Sequence, residues 1–396
     1  MGLGVGCAQC HDHKFDPISQ ADFYRLRSFF DNMAFPKRNK QLGHIIKENG
    51  SEAPTSYLAV RGDFRRQGPP ITPAYPGIIN ARNRVPDIRP ITKESSFRRA
   101  ELARWLTTSD HPLTSRVVVN RLWQHHFGKA LVGTPNDFGT QGTEPSHPLL
   151  LDFLGTELIR NNWSLKQLHR LIVSSATYRQ ASRGSSKAWD HGVETDPENT
   201  WLSRMNRRRL SGESLRDAML AASLSLNDRQ GGPSDRPPLP TEVHATLLRK
   251  NHWITSASES DHHRRSIYIF VRRNLRYPMF DVFDRPDANA SCAQRSLTTT
   301  APQSLNLLNS EFSLRVSESM ATIVLDETDR NSDHAIDQLF LRILGRMPSS
   351  YEIDSLKDFL IQNPNALSAD NKNHQKQAFT EISLALFNLN EFLYVD

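Results

Sequence analysis

Residues 332–344 read SDHAIDQLFLRIL, and Ile336, Leu339, Phe340, Ile343 and Leu344 recur every third or fourth position, the spacing of one apolar helix stripe. The next segment repeats the pattern with Ile353, Leu356, Phe359 and Leu360. Between the two, Ser349 and Glu352 have the S-x-x-E spacing of a capping box. A third stripe, Phe379, Ile382, Leu386 and Leu389, leads into NEFLYVD, whose aromatic residues are expected to dock rather than fray. Consecutive amphipathic helices of this kind set the expectation for the fold: mainly α, a multi-helical domain with a minor β element.

Upstream, Thr298, Thr299 and Thr300 introduce a helix from Pro302, and SGESLRDAML (211–220) is another helix. SIYIFVRR (266–273) alternates Ile267, Ile269 and Val271 against Tyr268, Phe270 and Arg272, and reads as a strand. Between about 227 and 262 periodicity is lost, the signature of an insertion or flexible loop. Further back, LTSRVVVNRLWQHHFG (113–128) puts Val119, Leu122, Trp123 and His126 on one stripe, with Pro112 suited to a first turn and Gly128 to a stop. Ser146 with Pro148, and Ser164 with Gln167, open two more helices. Residues 36–90 are rich in Pro and Gly and read as a linker in which YLAVRG (57–62) is strand-like. In ADFYRLRSFFDNM, Phe23, Leu26, Phe29 and Phe30 share a helical face. The expected division is 1–35, a linker over 36–90, and a helical domain over 91–396.

The 396 residues carry 49 Lys and Arg against 43 Asp and Glu, a net charge of +6 that predicts only weak attraction to polyanions and gives no case for a nucleic-acid partner. No apolar run approaches the roughly 18 residues a membrane helix needs. Three cysteines make no disulfide framework, and Cys292 reads as a lone thiol.

The specific local signal is Cys7, Cys10 and His11 in C-A-Q-C-H. That spacing lets two thiols join the vinyl groups of haem c while the adjacent imidazole serves as proximal ligand to the haem iron. Two alternatives stand beside it: a zinc site in which His13 joins Cys7, Cys10 and His11, or simply two reduced thiols. Met33 and His44 are the nearest downstream residues of a type that supplies a second axial ligand. His125 with His126, and His262 with His263, lack a carboxylate at metal-ligand spacing and read as structural. No G-x-S-x-G, Walker or H-E-x-x-H pattern is present, so hydrolase and nucleotide readings lack support. Arg272, Arg273, Asp284, Arg285 and Arg295 form an arginine-rich polar group ahead of the Thr298–Thr300 helix start. They offer an anion or glycan site, with helix capping by the threonines as the alternative. The arginine clusters Arg207, Arg208, Arg209 and Arg264, Arg265, Arg272, Arg273 offer a site for an anionic polymer or phosphate, or a set of structural salt bridges to acids such as Asp281, Asp284 and Asp287.

GVGCAQCHDHKFDPISQADFYRLRSFFDNM (4–33) resembles the C-terminal end of the planctomycete cytochrome-like domain. The rest resembles the planctomycete-specific domain of unknown function that follows it, in LARWLTTSDHPLTSRVVVNRLWQHHFGKALVGTPNDFG, PSHPLLLDFL, WSLKQLHRLIVSSATYRQ, MNRRRLSGESLRDAML, SIYIFVRRN, FDRPDANASCAQRSLTTTAPQSLNLLNSEF and NEFLYVD. The resemblance implies that 1–35 is the remnant of a cytochrome c-like domain. It also implies a longer, exported parent with cytochrome modules upstream, and hence a periplasmic or extracytoplasmic site of action. With no signal peptide ahead of Cys7, a genuine start at Met1 implies a cytoplasmic one. Two functions follow as expectations: electron transfer through haem c with a helical domain that binds a substrate or redox partner, or a scaffold for a polysaccharide or other polyanion with a structural or vestigial CxxCH. Neither names a catalytic residue.

Overall fold

The computed structural model describes residues 1–34, 46–80, 82–245, 247, 253–273, 275–362 and 372–395. Among these, helices dominate and every sheet is a two-stranded antiparallel ribbon, the mainly α architecture with a minor β element that the stripes predict. The chain divides into two compact units, Met1–Asn206 and Arg207–Asp396. That division falls inside the stretch 91–396 which the periodicity treats as one helical region.

The first unit begins with a 3-10 turn, Val5–Gln9, and α1 (Gln20–Arg27), followed by the ribbons β1 (Met33–Ala34) with β2 (Lys47–Glu48) and β3 (Ser56–Ala59) with β4 (Gln67–Ile71). YLAVRG is thus shared between β3 and a 3-10 turn at Val60–Gly62. Helices α2 (Arg98–Leu106), α3 (Thr114–Phe127), α4 (Pro148–Arg160), α5 (Leu165–Val173) and α6 (Lys187–Thr195) complete it. Pro148 is the first residue of α4, and the Ser164 hydroxyl accepts the Gln167 N–H at the start of α5. Val119, Trp123 and Phe127 of α3 pack with Leu154, Leu158 and Leu168. Asn120 lies fully buried in this core, where its amide donates to the Val132 carbonyl at 3.0 Å and accepts the Val132 N–H at 2.8 Å. A poor helix former is kept there because it satisfies a buried loop backbone.

A second, smaller cluster holds a column of rings. Phe29 stacks on Tyr75 at 5.8 Å, Tyr75 on Trp105 at 4.3 Å, and Trp105 meets His111 edge-on at 4.6 Å. The expected helical face through Phe23, Leu26, Phe29 and Phe30 is corrected here. Helix α1 stops at Arg27, where the Ser28 hydroxyl donates to the Arg25 carbonyl, and so Phe29 is buried while Phe30 is exposed.

The second unit comprises β5 (Arg208–Arg209), α7 (Gly212–Ala222), α8 (Thr241–Ala245), α9 (Glu259–His262), α10 (Pro278–Val282), α11 (Ala301–Asn309), α12 (Glu311–Glu327), α13 (Ser332–Ile343), α14 (Ser350–Gln362), α15 (Lys372–Phe387), α16 (Asn390–Leu393) and β6 (Tyr394–Val395). The predicted stripes face one core: Ile336, Leu339, Phe340 and Ile343 of α13, Leu360 of α14, and Phe379, Ile382 and Leu386 of α15 are buried against Val316, Met320 and Val324 of α12. Ser349 and Glu352 make the capping box, the carboxylate accepting the Ser349 N–H at 2.7 Å. Thr300 and Gln303 make the one that opens α11. The chain end docks, with Phe392 against Phe387 at 5.0 Å and β6 paired to β5.

SIYIFVRR is not a strand. Ser266–Tyr268 is a 3-10 turn, and Ile269 makes a single bridge to Asp235. Ile269 is buried, yet Ile267 is 77% exposed. Pairing is confined to one residue: the Asp235 N–H donates to the Tyr268 carbonyl and the Phe270 N–H to the Asp235 carbonyl, both at 2.8 Å, while side chains hold the lead-in. Arg216 donates to the Arg264 carbonyl at 2.9 Å and to that of His262, and Asp217 accepts the Ser266 N–H at 2.7 Å. Among the described residues of 227–262, where the sequence lacks periodicity, lie α8 and α9, and Trp253 is 1% exposed and donates to the Pro237 carbonyl. No helix among the described residues is long and apolar enough to cross a membrane.

Candidate functional site

In the turn Val5–Gln9, Ala8 is fully buried and pins the backbone inward, while Cys7, Cys10 and His11 are exposed and both thiols are free. Helix α1 holds this turn from beneath. The Tyr24 hydroxyl donates to the Gln9 carbonyl at 3.1 Å, and the Gln20 amide donates to the same carbonyl at 3.0 Å and to that of Ala59 at 3.2 Å. Asp12 accepts the Gln20 N–H at 2.7 Å, closing the turn onto the helix start. On another side lies Gly62, with φ at +77°. A Cβ there would come within 2.5 Å of the Cys10 sulfur, so only glycine lets the loop after β3 approach the thiol this closely.

The imidazole of His11 has a defined tautomer. Its Nδ1 lies 2.6 Å from the Asp12 carbonyl, which can only accept, so Nδ1 carries a hydrogen and, in the neutral ring, Nε2 is the acceptor. A backbone carbonyl behind one ring nitrogen is the arrangement that orients a metal-ligating histidine. The residues therefore fit haem c: two exposed thiols one turn apart, and an imidazole with its distal nitrogen available.

His13 is oriented elsewhere. Its Nδ1 accepts the Asp16 N–H at 2.9 Å, and among the described residues no group of three or more His, Cys, Asp or Glu side chains gathers to hold a metal ion. Asp16 is buried and accepts the Thr140 N–H at 2.7 Å and the Thr140 hydroxyl at 2.9 Å, chiefly the backbone bond holding its carboxyl below the usual range. Gly139 makes room for it, since a Cβ there would meet the carboxylate at 2.5 Å. Of the axial-ligand residues, Met33 is half-buried in β1, and His44 lies outside the described residues.

The arginine-rich group of the second unit is built differently. Asp284 accepts Arg209 at 2.6 Å and the N–H and hydroxyl of Thr298 at 2.9 and 2.7 Å. Burial alone would raise its pKa, but Thr298 and the Arg209 guanidinium outweigh this and hold the carboxyl low. Arg295 pairs with Glu213 at 2.8 Å, and Arg285 stands 4.0 Å from the same carboxylate. Arg272 and Arg273 sit on a turn at 271–273, Arg272 half-buried in a bridge to Leu275 and Arg273 exposed. Arg209 thus makes the salt bridge to Asp284 that the sequence offered as one alternative, while Arg285 and Arg295 converge on Glu213, a residue not singled out with them. His126 lies in the first unit, its Nε2 2.8 Å from His169 Nδ1 and its ring edge-on to Tyr178.

Sequence reading missed Gln20, Tyr24 and Gly62, whose roles around Cys10 depend on the fold and leave no local signal. It also missed His111, which Pro112 had marked only as a helix lead-in. Compared with known proteins, residues 98–360, well over half of the chain, match the family model described as PSD1, protein of unknown function (DUF1553). Residues 1–35 match PSCyt2, protein of unknown function (DUF1549). No curated protein and no solved structure matches.

Proposed function

The chain belongs to the family PSD1, protein of unknown function (DUF1553), and from that footing we propose that its amino-terminal turn carries a covalently attached haem c and serves in electron transfer. The observation that carries this reading is the exposed Cys7–His11 turn with His11 Nδ1 turned to the Asp12 carbonyl. Cys7 and Cys10 would hold the group by thioether bonds, each S–H adding across a vinyl, and His11 Nε2 would be the proximal ligand. When bound, haem supplies one-electron redox chemistry. The chain's own contribution is positional: Ala8, Tyr24 and Gln20 fix the turn, the Asp12 carbonyl fixes the imidazole tautomer, and Gly62 closes one side of Cys10. On this reading the protein works outside the cytoplasm, alongside cytochrome modules or a redox partner that meets the exposed turn.

The test is a pyridine haemochrome spectrum of the chain expressed into the periplasm with haem maturation proteins. A c-type spectrum that is lost in Cys7→Ser and Cys10→Ser is the expected result. A folded, colourless protein with both thiols titratable overturns the reading.

A further inference from the structure

The column of rings in the first unit ends in a small cavity of about 60 Å³, lined by Asn80, Arg82, Arg84, Trp105, Asp110 and His111 among others. His111 is 5% exposed. Its Nδ1 accepts the backbone N–H groups of Leu113 at 3.3 Å and Thr114 at 3.1 Å, so the hydrogen of the neutral ring sits on Nε2. That buried Nε2–H has no hydrogen-bond partner among the described residues. Burial pushes the pKa of the imidazole down to about 4, and at neutral pH it is a donor without charge.

Two acceptors around the cavity have partners. Asp110 Oδ2 takes Arg82 at 2.9 Å and Arg84 at 2.7 Å. Asn80 is committed on both sides to the backbone of Arg84, its amide donating to the carbonyl at 2.9 Å and its oxygen accepting the N–H at 3.0 Å. What remains is donor capacity: the His111 Nε2–H and the further N–H groups of two guanidiniums, with one positive charge in excess of the single carboxylate. A water needs roughly 10–15 Å³ of such space, so the cavity holds about four to six atoms of that size, the scale of an oxyanion head.

We propose that this cavity binds a small oxyanion group, carboxylate or phosphate, which accepts from His111 Nε2–H and from Arg82 and Arg84. The site is distinct from the Cys7–His11 turn and stands whether or not haem is carried there. A buried orphan donor is destabilising, and an anionic acceptor removes that cost while neutralising the excess guanidinium charge.

The test titrates the full chain with inorganic phosphate and, separately, with acetate against chloride of equal ionic strength, read by calorimetry and by the imidazole nitrogens of His111 in long-range proton–nitrogen NMR. One saturable site is expected, with the Nε2 resonance moving on the same curve. Whichever anion binds tighter identifies the head group as tetrahedral or planar. Arg84→Gln should weaken binding by about tenfold or more, the worth of a charge-assisted hydrogen bond. Arg82→Gln, at a side chain 69% exposed and so safe for folding, should weaken it in the same direction. A His111 resonance that neither anion moves, or binding indifferent to both arginine changes, means that water alone fills the cavity and overturns the proposal.

Discussion

At the amino-terminal turn three reactive side chains face water and keep unspent valence: two free thiols and one imidazole nitrogen. In the second unit the most deeply placed reactive groups are the reverse. Arg264, 1% exposed, gives its guanidinium to Asp235 at 2.6 Å and to the carbonyls of Pro233, Gly231 and Arg229, and lies 4.0 Å over the Tyr268 ring. Arg216 gives its terminal nitrogens to the carbonyls of Arg264 and His262, and only its Nε is left without a partner among the described residues. A motif whose chemistry is satisfied inside the fold is architecture, and one that the fold holds steady but leaves unsatisfied is available to a ligand. Exposure and unspent hydrogen bonds, more than residue type, separate the two.

That contrast breaks first where the largest effect is expected. Arg264→Met leaves Asp235 a buried, unpaired carboxylate and should cost about 3–5 kcal/mol, seen as a lower denaturant midpoint with an unchanged m-value. A loss under about 1 kcal/mol would show that the pair is not the buried strut described. Next comes His111. Its folded pKa of about 4 lies below the unfolded value near 6.5, so between those pH values the unfolded chain binds a proton that the folded chain refuses. Stability must therefore fall as pH drops from about 6.5 to 4, by up to about 3 kcal/mol at 1.36 kcal/mol per pH unit. His111→Gln should flatten that limb of the stability curve. The carboxyl groups held low, Asp16, Asp284 and Glu352 with its pKa near 2, withdraw their share only below the usual carboxylate range, and the two windows separate. The smallest effect belongs to the motif itself: Cys7→Ser should change stability by less than about 0.5 kcal/mol, because the side chain is exposed. A large thermal shift there would make the thiol structural and blur the contrast.

Most of the helical fold is legible in the sequence, because an amphipathic stripe such as Ile336, Leu339, Phe340 and Ile343 is written locally and needs only an apolar partner to bury it. SIYIFVRR is not legible in that way. Alternation states which faces a strand would have, but a strand also needs a neighbour, and here only Asp235 pairs with the segment, at a single bridge to Ile269. The candidate site divides along the same line. Cys7, Cys10 and His11 are read at once since their chemistry requires adjacency in sequence. Arg82, Arg84 and His111 meet only because the segments at 79–84 and 105–111 fold against each other, and no spacing records that.

The Asp16 carboxylate reaches the loop at Thr140, and the Phe138 N–H bonds the Gly2 carbonyl at 2.6 Å. These contacts join a stretch matched by one family model to a stretch matched by another. Replacing the first 35 residues would therefore leave the Thr140 N–H and hydroxyl without the buried carboxylate they donate to, unless the incoming segment placed an acceptor in the space Gly139 leaves open.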